Sequence, residues 1–484
     1  MKLVAALAAL AACHPPPSGP DLQVLGESVR RGPNDSLPDS SPWFDGTRVS
    51  LAGARGEVLG ITVWHRDHGS PVTLELPSDA AEIDSYDVES FDVTHPSTAM
   101  YGGSHGKGAY ADGLVPTSAP TTNPAYFEIH IRPDATATPG TGAHLDGVMH
   151  VAGKPYPVAL RIIPVTLPPL PLDVWAYDRP QEHGDNEAAC RRMFADYGVL
   201  LSPDIAVADW PARRASVAGV RDVPAWIPDE PVAAAAAVRA WIAAPKDPGQ
   251  VPFAIPIDEP RTPEARAKVR VLADAVRAAG GGPTTFRYAV TDEPRPEYGN
   301  AIDLFISPRA AHLAGDTAPR WTYNGAPPSA GSMVLDADEP GTRTWGWIAW
   351  RWKIPVWYVW NATYWRDRHN KGKDTASPLD PARSPISFDD GEDQGNLDGV
   401  LALPGCRPTL RLAALRRGYE DRALLDLATR CDAPATAALA ARIVPRALGD
   451  APAHGAPSWS TDDRDWERAR LELLALASCR VTTN

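Results

Sequence analysis

The chain has 484 residues, with 44% hydrophobic and 22% charged residues and a formal net charge of -13. Such a length and balance suit a globular protein with room for two or three cores. With no basic stripe anywhere in the sequence, they exclude nucleic acid as a partner, since phosphate binding needs clustered Lys and Arg.

The opening MKLVAALAALAAC has one Lys, a short apolar run and Leu10-Ala11-Ala12 ahead of Cys13. That is the layout of a bacterial lipoprotein signal, so residues 1–12 are expected to be removed and Cys13 to carry lipid. The run is too short to span a bilayer. The expected location is the cell envelope, periplasmic or on the outer surface, with the lipid at Cys13 as the membrane contact. Residues 13–46, beginning CHPPPSGPDLQ, read as a flexible tether.

From 47 to 165 the pattern is β. Val49–Ala52, Glu57–Trp64, Val72–Leu76, Ala125–Ile131, Gly147–Val151 and Val158–Val165 are short, β-branched or aromatic runs between Gly, Pro, Asp and Ser clusters. That spacing predicts an antiparallel sandwich. The glycine-rich YGGSHGKGAY, Tyr101–Tyr110, reads as an exposed loop.

TLPPLP, residues 166–171, is a proline linker. From 172 to 432 strand-like and helix-like runs alternate. Strands are expected at Leu172–Tyr177, Val199–Val207, Val223–Ile227, Val251–Ile257, Thr285–Val290, Ala301–Ser307, Arg320–Tyr323 and Pro355–Asn361; helices are clearest at Asn186–Tyr197, Val232–Ala243, Pro263–Ala279 and Thr409–Thr429. The order predicts an α/β fold, a TIM-like (β/α)8 barrel preceded by the antiparallel β-sandwich. Arg411–Asp426 reads as the barrel's amphipathic closing helix. Residues 433–484 form a helical extension whose Thr461–Cys479 segment would pack over the barrel's outside. Residues 366–394 read as a long charged loop. Cys431 with Cys479 would clip the last helices together, although the sequence leaves the pairing of Cys190, Cys406, Cys431 and Cys479 open. No Cys or His spacing, including His65, His68 and His183, suits a metal, and no cofactor is expected.

The chemistry concentrates at VPFAIPIDEP, residues 251–260, an apolar run that ends in Asp258 and Glu259. Residues just past the C-terminal end of a barrel strand face the ligand. Asp-Glu-Pro also suits a helix start, with Asp as cap and Pro in the first turn. The tripeptide recurs at Asp229, Asp292 and Asp338; only Asp258 and Asp292 follow strand-like runs. Two adjacent carboxylates in one pocket do not ionise independently, so one is expected to be pushed up and act as acid while the other stays charged. Candidate substrate contacts are Trp175 and Tyr177 at the first strand's end, Tyr323 and Asn324 at the seventh, and Trp360, Asn361 and Trp365 at and beyond the eighth. Trp345, Trp347, Trp350 and Trp352 read as packing. Arg343 either bridges to a carboxylate or begins a helix.

Several later segments add to this: Trp321-Thr-Tyr-Asn-Gly with Pro327 and Pro328, Arg343-Thr-Trp-Gly-Trp, Val356-Trp-Tyr-Val-Trp-Asn, Asp398-Gly-Val-Leu-Ala-Leu-Pro-Gly405, and Leu415-Arg-Arg-Gly-Tyr-Glu-Asp421. With Asp258-Glu259-Pro260 and the lipoprotein, sandwich and barrel order, they resemble the glycoside hydrolase family 123 group, including its branch called domain of unknown function 4091. The resemblance covers about residues 250–430. It implies β-hexosaminidase chemistry in which the substrate's 2-acetamido oxygen attacks the anomeric carbon, with Glu259 as general acid/base and Asp258 orienting the acetamido group. It also implies a glycan substrate, with N-acetylgalactosamine as the expected terminal sugar.

Three alternatives stay open: a hydrolase with Glu293 as protein nucleophile, a non-catalytic glycan-binding lipoprotein, and an adhesive or scaffolding assembly without sugar affinity. The seventh strand's end, Tyr323-Asn324, lacks the Glu that many retaining barrels carry there by family analogy, which favours the neighbouring-group route. The oligomeric state is not legible.

Overall fold

The computed structural model describes residues 20–29, 37–66, 69–122, 124–136, 142–307, 320–337, 340–366 and 378–479. Cys13 with its signal, His68, Asp338 and part of the charged loop lie outside the described residues.

Two sheets form the N-terminal part. One is antiparallel, in the order β1-β3-β7-β5-β6: β1 Leu22–Gly26, β3 Val58–His65, β7 Ala125–Ile131, β5 Ala81–Val93 and β6 Gly108–Pro116. The other, β2-β9-β8-β4, comprises β2 Val49–Arg55, β9 Lys154–Thr166, β8 Ala143–Val151 and β4 Val72–Glu75. Within it β2 and β9 run parallel, an exception to the expected antiparallel pairing. Ile61, Val63, Phe127 and Ile129 on one sheet and Leu160, Ile162 and Met149 on the other share one core, the product of period-two alternation. Residues 22–26 correct the expected tether: LQVLG is buried throughout and pairs with β3, because it supplies an edge strand that covers Val63 and Ile61. The glycine-rich segment is also pinned. Tyr101 and Tyr110 at its ends are buried, and β6 already begins at Gly108.

The second part is a mixed α/β assembly around a nearly closed barrel of nine short parallel strands, β11-β10-β18-β17-β16-β15-β14-β13-β12. These are β10 Val174–Tyr177, β11 Val199–Ser202, β12 Ile205–Ala206, β13 Asp222–Trp226, β14 Val251–Ala254, β15 Arg287–Val290, β16 Leu304–Ile306, β17 Arg320–Tyr323 and β18 Trp357–Val359. The order begins and ends on β11 and β12, which flank Pro203 and Asp204 in a single run of sequence. Proline cannot donate to a ladder, so the run divides there. Phe253 fills the interior between Trp175 (5.0 Å) and Trp321 (4.8 Å).

The helices are α1 Glu187–Asp196, α2 Trp210–Arg213, α3 Pro231–Ala243, α4 Pro263–Ala278, α5 Thr344–Trp352, α6 Leu410–Cys431, α7 Ala433–Ile443 and α8 Asp463–Ala477. In α4, Thr262 caps the start by accepting the N–H of Ala265, Pro263 takes the first turn, and Val269, Leu272, Ala273 and Val276 bury one face. A hairpin, β19 Ile386–Asp389 and β20 Gln394–Asn396, stands inside the expected charged loop. No helix among the described residues is long and apolar enough to cross a membrane. Disulfides join Cys190 to Cys406 and Cys431 to Cys479.

Helix α6 departs from the expected amphipathic cover. It is buried on nearly every side, packed on α5 and α8 and against β3 and β6 of the N-terminal sheets. Helix α8 likewise lies against α6, β1 and β2 rather than on the barrel's outside. Their charged residues are the reason. Arg416 and Arg417 on α6 reach Glu128 (2.8 Å) and Glu57 (2.7 Å) of the sheets, and Arg470 on α8 reaches Glu57 (2.8 Å) and Glu467 (2.7 Å). Arg343 joins the same cluster through Asp421 and Asp463, both at 2.9 Å. Buried charges persist only when paired in this way.

Candidate active site

The ends of three strands build the site, the adjacent β14 and β15 and, beyond β16, β17. Beyond β14 the chain runs through Ile255-Pro256-Ile257 to Asp258 and Glu259; beyond β15 comes Thr291; β17 ends in Tyr323. Thr291 Oγ1 donates to Asp258 Oδ1 at 2.6 Å and accepts the backbone N–H of Glu259 at 2.7 Å. Tyr323 Oη donates to Glu259 Oε1 at 2.9 Å, and the largely exposed Arg261 guanidinium bonds Glu259 Oε2. Glu259 sits at φ +40°, a left-handed conformation that a non-glycine residue adopts only where its surroundings impose it. Its neighbours here are Thr291 on the backbone and Tyr323 on the side chain.

Asp258 is not a helix cap, since Thr262 holds that place for α4. Asp229 does precede a helix, with Pro231 in the first turn of α3, and pairs with Lys268. Asp292 is a local brace: Arg295 and Tyr298 both donate to its Oδ2 at 2.6 Å, and these bonds hold its carboxyl low against its burial.

Burial raises Asp258 above the ordinary carboxylate range, and the adjacent Glu259 adds to the rise while the Thr291 bond works against it. The group pushed up is therefore Asp258, whereas the expected division of labour placed the raised carboxyl on the acid, Glu259. Asp258 is the more enclosed of the two, and Glu259 has two donors at its carboxylate.

The other expected contacts divide. Trp175 is 2% exposed, stacks on Tyr358 at 4.4 Å and gives its indole N–H to the Ser202 carbonyl, so it forms the floor of the barrel interior rather than a surface for a sugar. Tyr177 is half-buried at the end of β10, its hydroxyl raised by burial and by Asp204. Asn324, at φ +49°, fastens β17 to β18: its N–H donates to the Tyr358 carbonyl and its Oδ1 accepts the N–H of Trp360. Trp360 donates to Asp398 (3.3 Å), Asn361 accepts from Thr363 N (2.8 Å), and Trp365 donates to the Ala402 carbonyl (2.8 Å) and meets His183 edge-on. Asn361 and Trp365 are buried and Trp360 half-buried, and none of the three is seen to bond Asp258 or Glu259 among the described residues. Arg343 does bridge to carboxylates, Asp421 and Asp463, and immediately precedes α5, as expected; at 1% exposed in the buried cluster between the two parts, it is not placed as the substrate contact it was also expected to be. Glu293 is half-buried beside Asp292.

Besides Thr291, three residues escaped the sequence reading. Tyr358 lies in β18 with its hydroxyl raised by burial and then by Asp258 and Asp204. Asp204 stands in the break between β11 and β12; the proline inside VLLSPDIAVA was its signal. Trp226, the last residue of β13, is 52% exposed, and its place at a strand end marked it equally. His183, Cys190 and Cys406 bring three potential ligand atoms within 4.8 Å of one another, but the two sulfurs form a disulfide and Asp178 holds His183.

No family model and no curated protein matches the chain. Among solved structures, its fold matches that of a family 123 glycoside hydrolase from Clostridium perfringens, studied for glycolipid glycan hydrolysis, with TM-score 0.59, 11% identity and coverage of 94% of this chain and 98% of that one. A glycosyl hydrolase family 2 member from Bacteroides cellulosilyticus (TM-score 0.27, 10% identity, 64% and 44% coverage) and a β-D-glucuronidase of Dictyoglomus thermophilum (TM-score 0.28, 10% identity, 75% and 66% coverage) match too loosely to carry weight. At such identities the likeness is one of fold.

Proposed function

We propose that this chain, with the fold of a family 123 glycoside hydrolase, is a retaining glycoside hydrolase: an exo-acting β-N-acetylhexosaminidase, anchored through Cys13. On this reading β11 and β12 are one interrupted strand of a TIM-like (β/α)8 barrel, and the site lies at the C-terminal ends of its strands. The observation that carries the reading is the joining of Asp258 and Glu259 through one hydroxyl, that of Thr291, past the end of β14.

In the first step the substrate's acetamido oxygen attacks the anomeric carbon while Glu259 protonates the departing oxygen. The bond to the aglycone breaks and an oxazolinium-like ring forms. Water, deprotonated by Glu259, then opens that ring with net retention. Asp258 accepts the acetamido N–H and faces the positive charge. Its raised proton affinity comes from burial and from the adjacent Glu259; the developing cation draws it back towards the ionised state. Trp226 offers an exposed ring for the sugar or its neighbour to stack on.

Purified protein assayed with p-nitrophenyl N-acetyl-β-D-galactosaminide, the matching glucosaminide and plain β-hexosides is expected to cleave only the acetamido substrates. Equal cleavage of the plain hexosides would move the nucleophile to a side chain, Glu293 first. Binding without turnover by correctly folded protein would leave a glycan-binding lipoprotein, and neither would leave the scaffolding alternative.

A further inference from the structure

Asp204 sits where the barrel ladder is interrupted, after Ser202 closes β11 and Pro203 withholds the next donor. Its Oδ1 is buried and has no hydrogen-bond partner among the described residues. The residue lies within electrostatic reach of Asp258, of Tyr177 at the end of β10 and of Tyr358 in β18. Of these only Asp258 is an acid of the catalytic pair; Arg179 is the cation nearest Tyr177. A buried acceptor without a donor is costly, most of all when charged. A ligand that brings an O–H removes the cost.

Resting on the hexosaminidase reading, we propose that Asp204 is a third substrate carboxyl of this site, accepting a hydroxyl of the bound N-acetylhexosamine on its unpartnered Oδ1. Tyr358 and Tyr177 then frame that hydroxyl, and Asp204 adds a directional contact to the aromatic floor.

Burial, and then the charge of Asp258, push the Asp204 carboxyl up to about 7, so the empty site keeps a proton there near neutrality. A sugar hydroxyl donating to Oδ1 favours the carboxylate and displaces that proton. Binding of an uncharged sugar therefore releases acid.

Calorimetry with free N-acetylgalactosamine at pH 7, in phosphate and in Tris, reads that release directly, because the buffers differ in ionisation enthalpy. Wild type is expected to show a sizeable fraction of a proton released per site; Asp204→Asn is expected to abolish the buffer dependence and weaken binding about tenfold. Binding by wild type with no buffer dependence, and equal binding by the variant, overturns the assignment while leaving the hexosaminidase reading intact. Absence of both binding and turnover in wild type overturns both. A second measurement needs no ligand. The folded chain holds the Asp204 proton up to about pH 7 whereas the unfolded chain loses it near pH 4, so wild type loses stability across that interval. Asp204→Asn is spared that loss, and its melting temperature is expected to gain on wild type from pH 4 to 7. A constant difference overturns the buried unpaired carboxyl itself.

Discussion

Thr291 donates to Asp258 across 2.6 Å while the same oxygen accepts the N–H of Glu259, so one side chain just past β15 ties both residues of the pair together. Thr291→Val keeps the shape and removes both bonds. It is expected to lower kcat/KM about 10- to 100-fold with little change in fold, read by steady-state kinetics beside circular dichroism. Unchanged kinetics would mean that the carboxylates are placed by their own loop.

The two acids are distinguishable by leaving group. If Glu259 is the acid, Glu259→Gln loses about 10²- to 10⁴-fold on a sugar leaving group but much less on 2,4-dinitrophenyl, which departs without a proton. Asp258→Asn is expected to lose activity on both alike. The reverse pattern would transfer the acid role to Asp258, whose carboxyl is the raised one.

Glu293 supplies the control. Its neighbour Asp292 is committed to Arg295 and Tyr298, and Glu293→Gln is expected to retain activity within about threefold. A loss as large as that of Glu259→Gln, with cleavage of hexosides lacking the acetamido group, would establish a protein nucleophile.

Among the described residues, one linked cluster between the sheets and the helices holds seven buried carboxyls, Glu27, Glu57, Glu128, Glu420, Asp421, Asp463 and Glu467, against four guanidiniums, Arg343, Arg416, Arg417 and Arg470, an excess of three acids. Burial raises Glu27, Asp463 and Glu420, the last to about 8. Burial is the largest influence on Glu128 and Asp421 as well, but Arg416, Tyr197 and His130 together at the first, and Arg343, Arg417 and Trp347 together at the second, overcome it and hold both low. Raised acids bind more protons folded than unfolded between about pH 4 and pH 8, so stability must fall as pH rises through that window. The melting temperature at pH 9 is expected to lie below that at pH 6, and Glu420→Gln to lessen the fall. A melting temperature that rises over this interval would refute the charge count.

Arg343→Met removes the cation that the buried Asp421 and Asp463 share. A loss of about 3–5 kcal/mol in urea unfolding is expected. An effect on KM at unchanged stability would return Arg343 to the substrate.

The barrel strands were legible because each is a short apolar run bounded by turn residues, and the Asp258-Glu259 pair because it ends one of them. Strand β5 was not. AEIDSYDVESFDV carries an acid at nearly every second position, which reads as solvated chain until its alternate Tyr86, Val88, Phe91 and Val93 are seen to bury. Helix α6 misled for the opposite reason. Arg416, Arg417, Glu420 and Asp421 give an amphipathic pattern, yet the first three meet partners in the distant N-terminal sheets, Glu128, Glu57 and the N–H of Val58, and Asp421 meets Arg343 and Trp347, all of them inside. Trp360, Asn361 and Trp365 occupy the place in the chain that sugar contacts take, but the sequence does not show that they bond Asp398, the N–H of Thr363 and the Ala402 carbonyl.

Arg416 follows its partner Glu128 by 288 residues. At a ribosomal pace of roughly 5–20 residues per second, the N-terminal sheets wait on the order of 15–60 seconds for the cation that neutralises them. Until then their inward-facing acids must stay hydrated or protonated, so the first part of the chain to be made is among the last to close. A chain truncated before residue 410 would be expected to remain in that open condition, however complete its barrel strands.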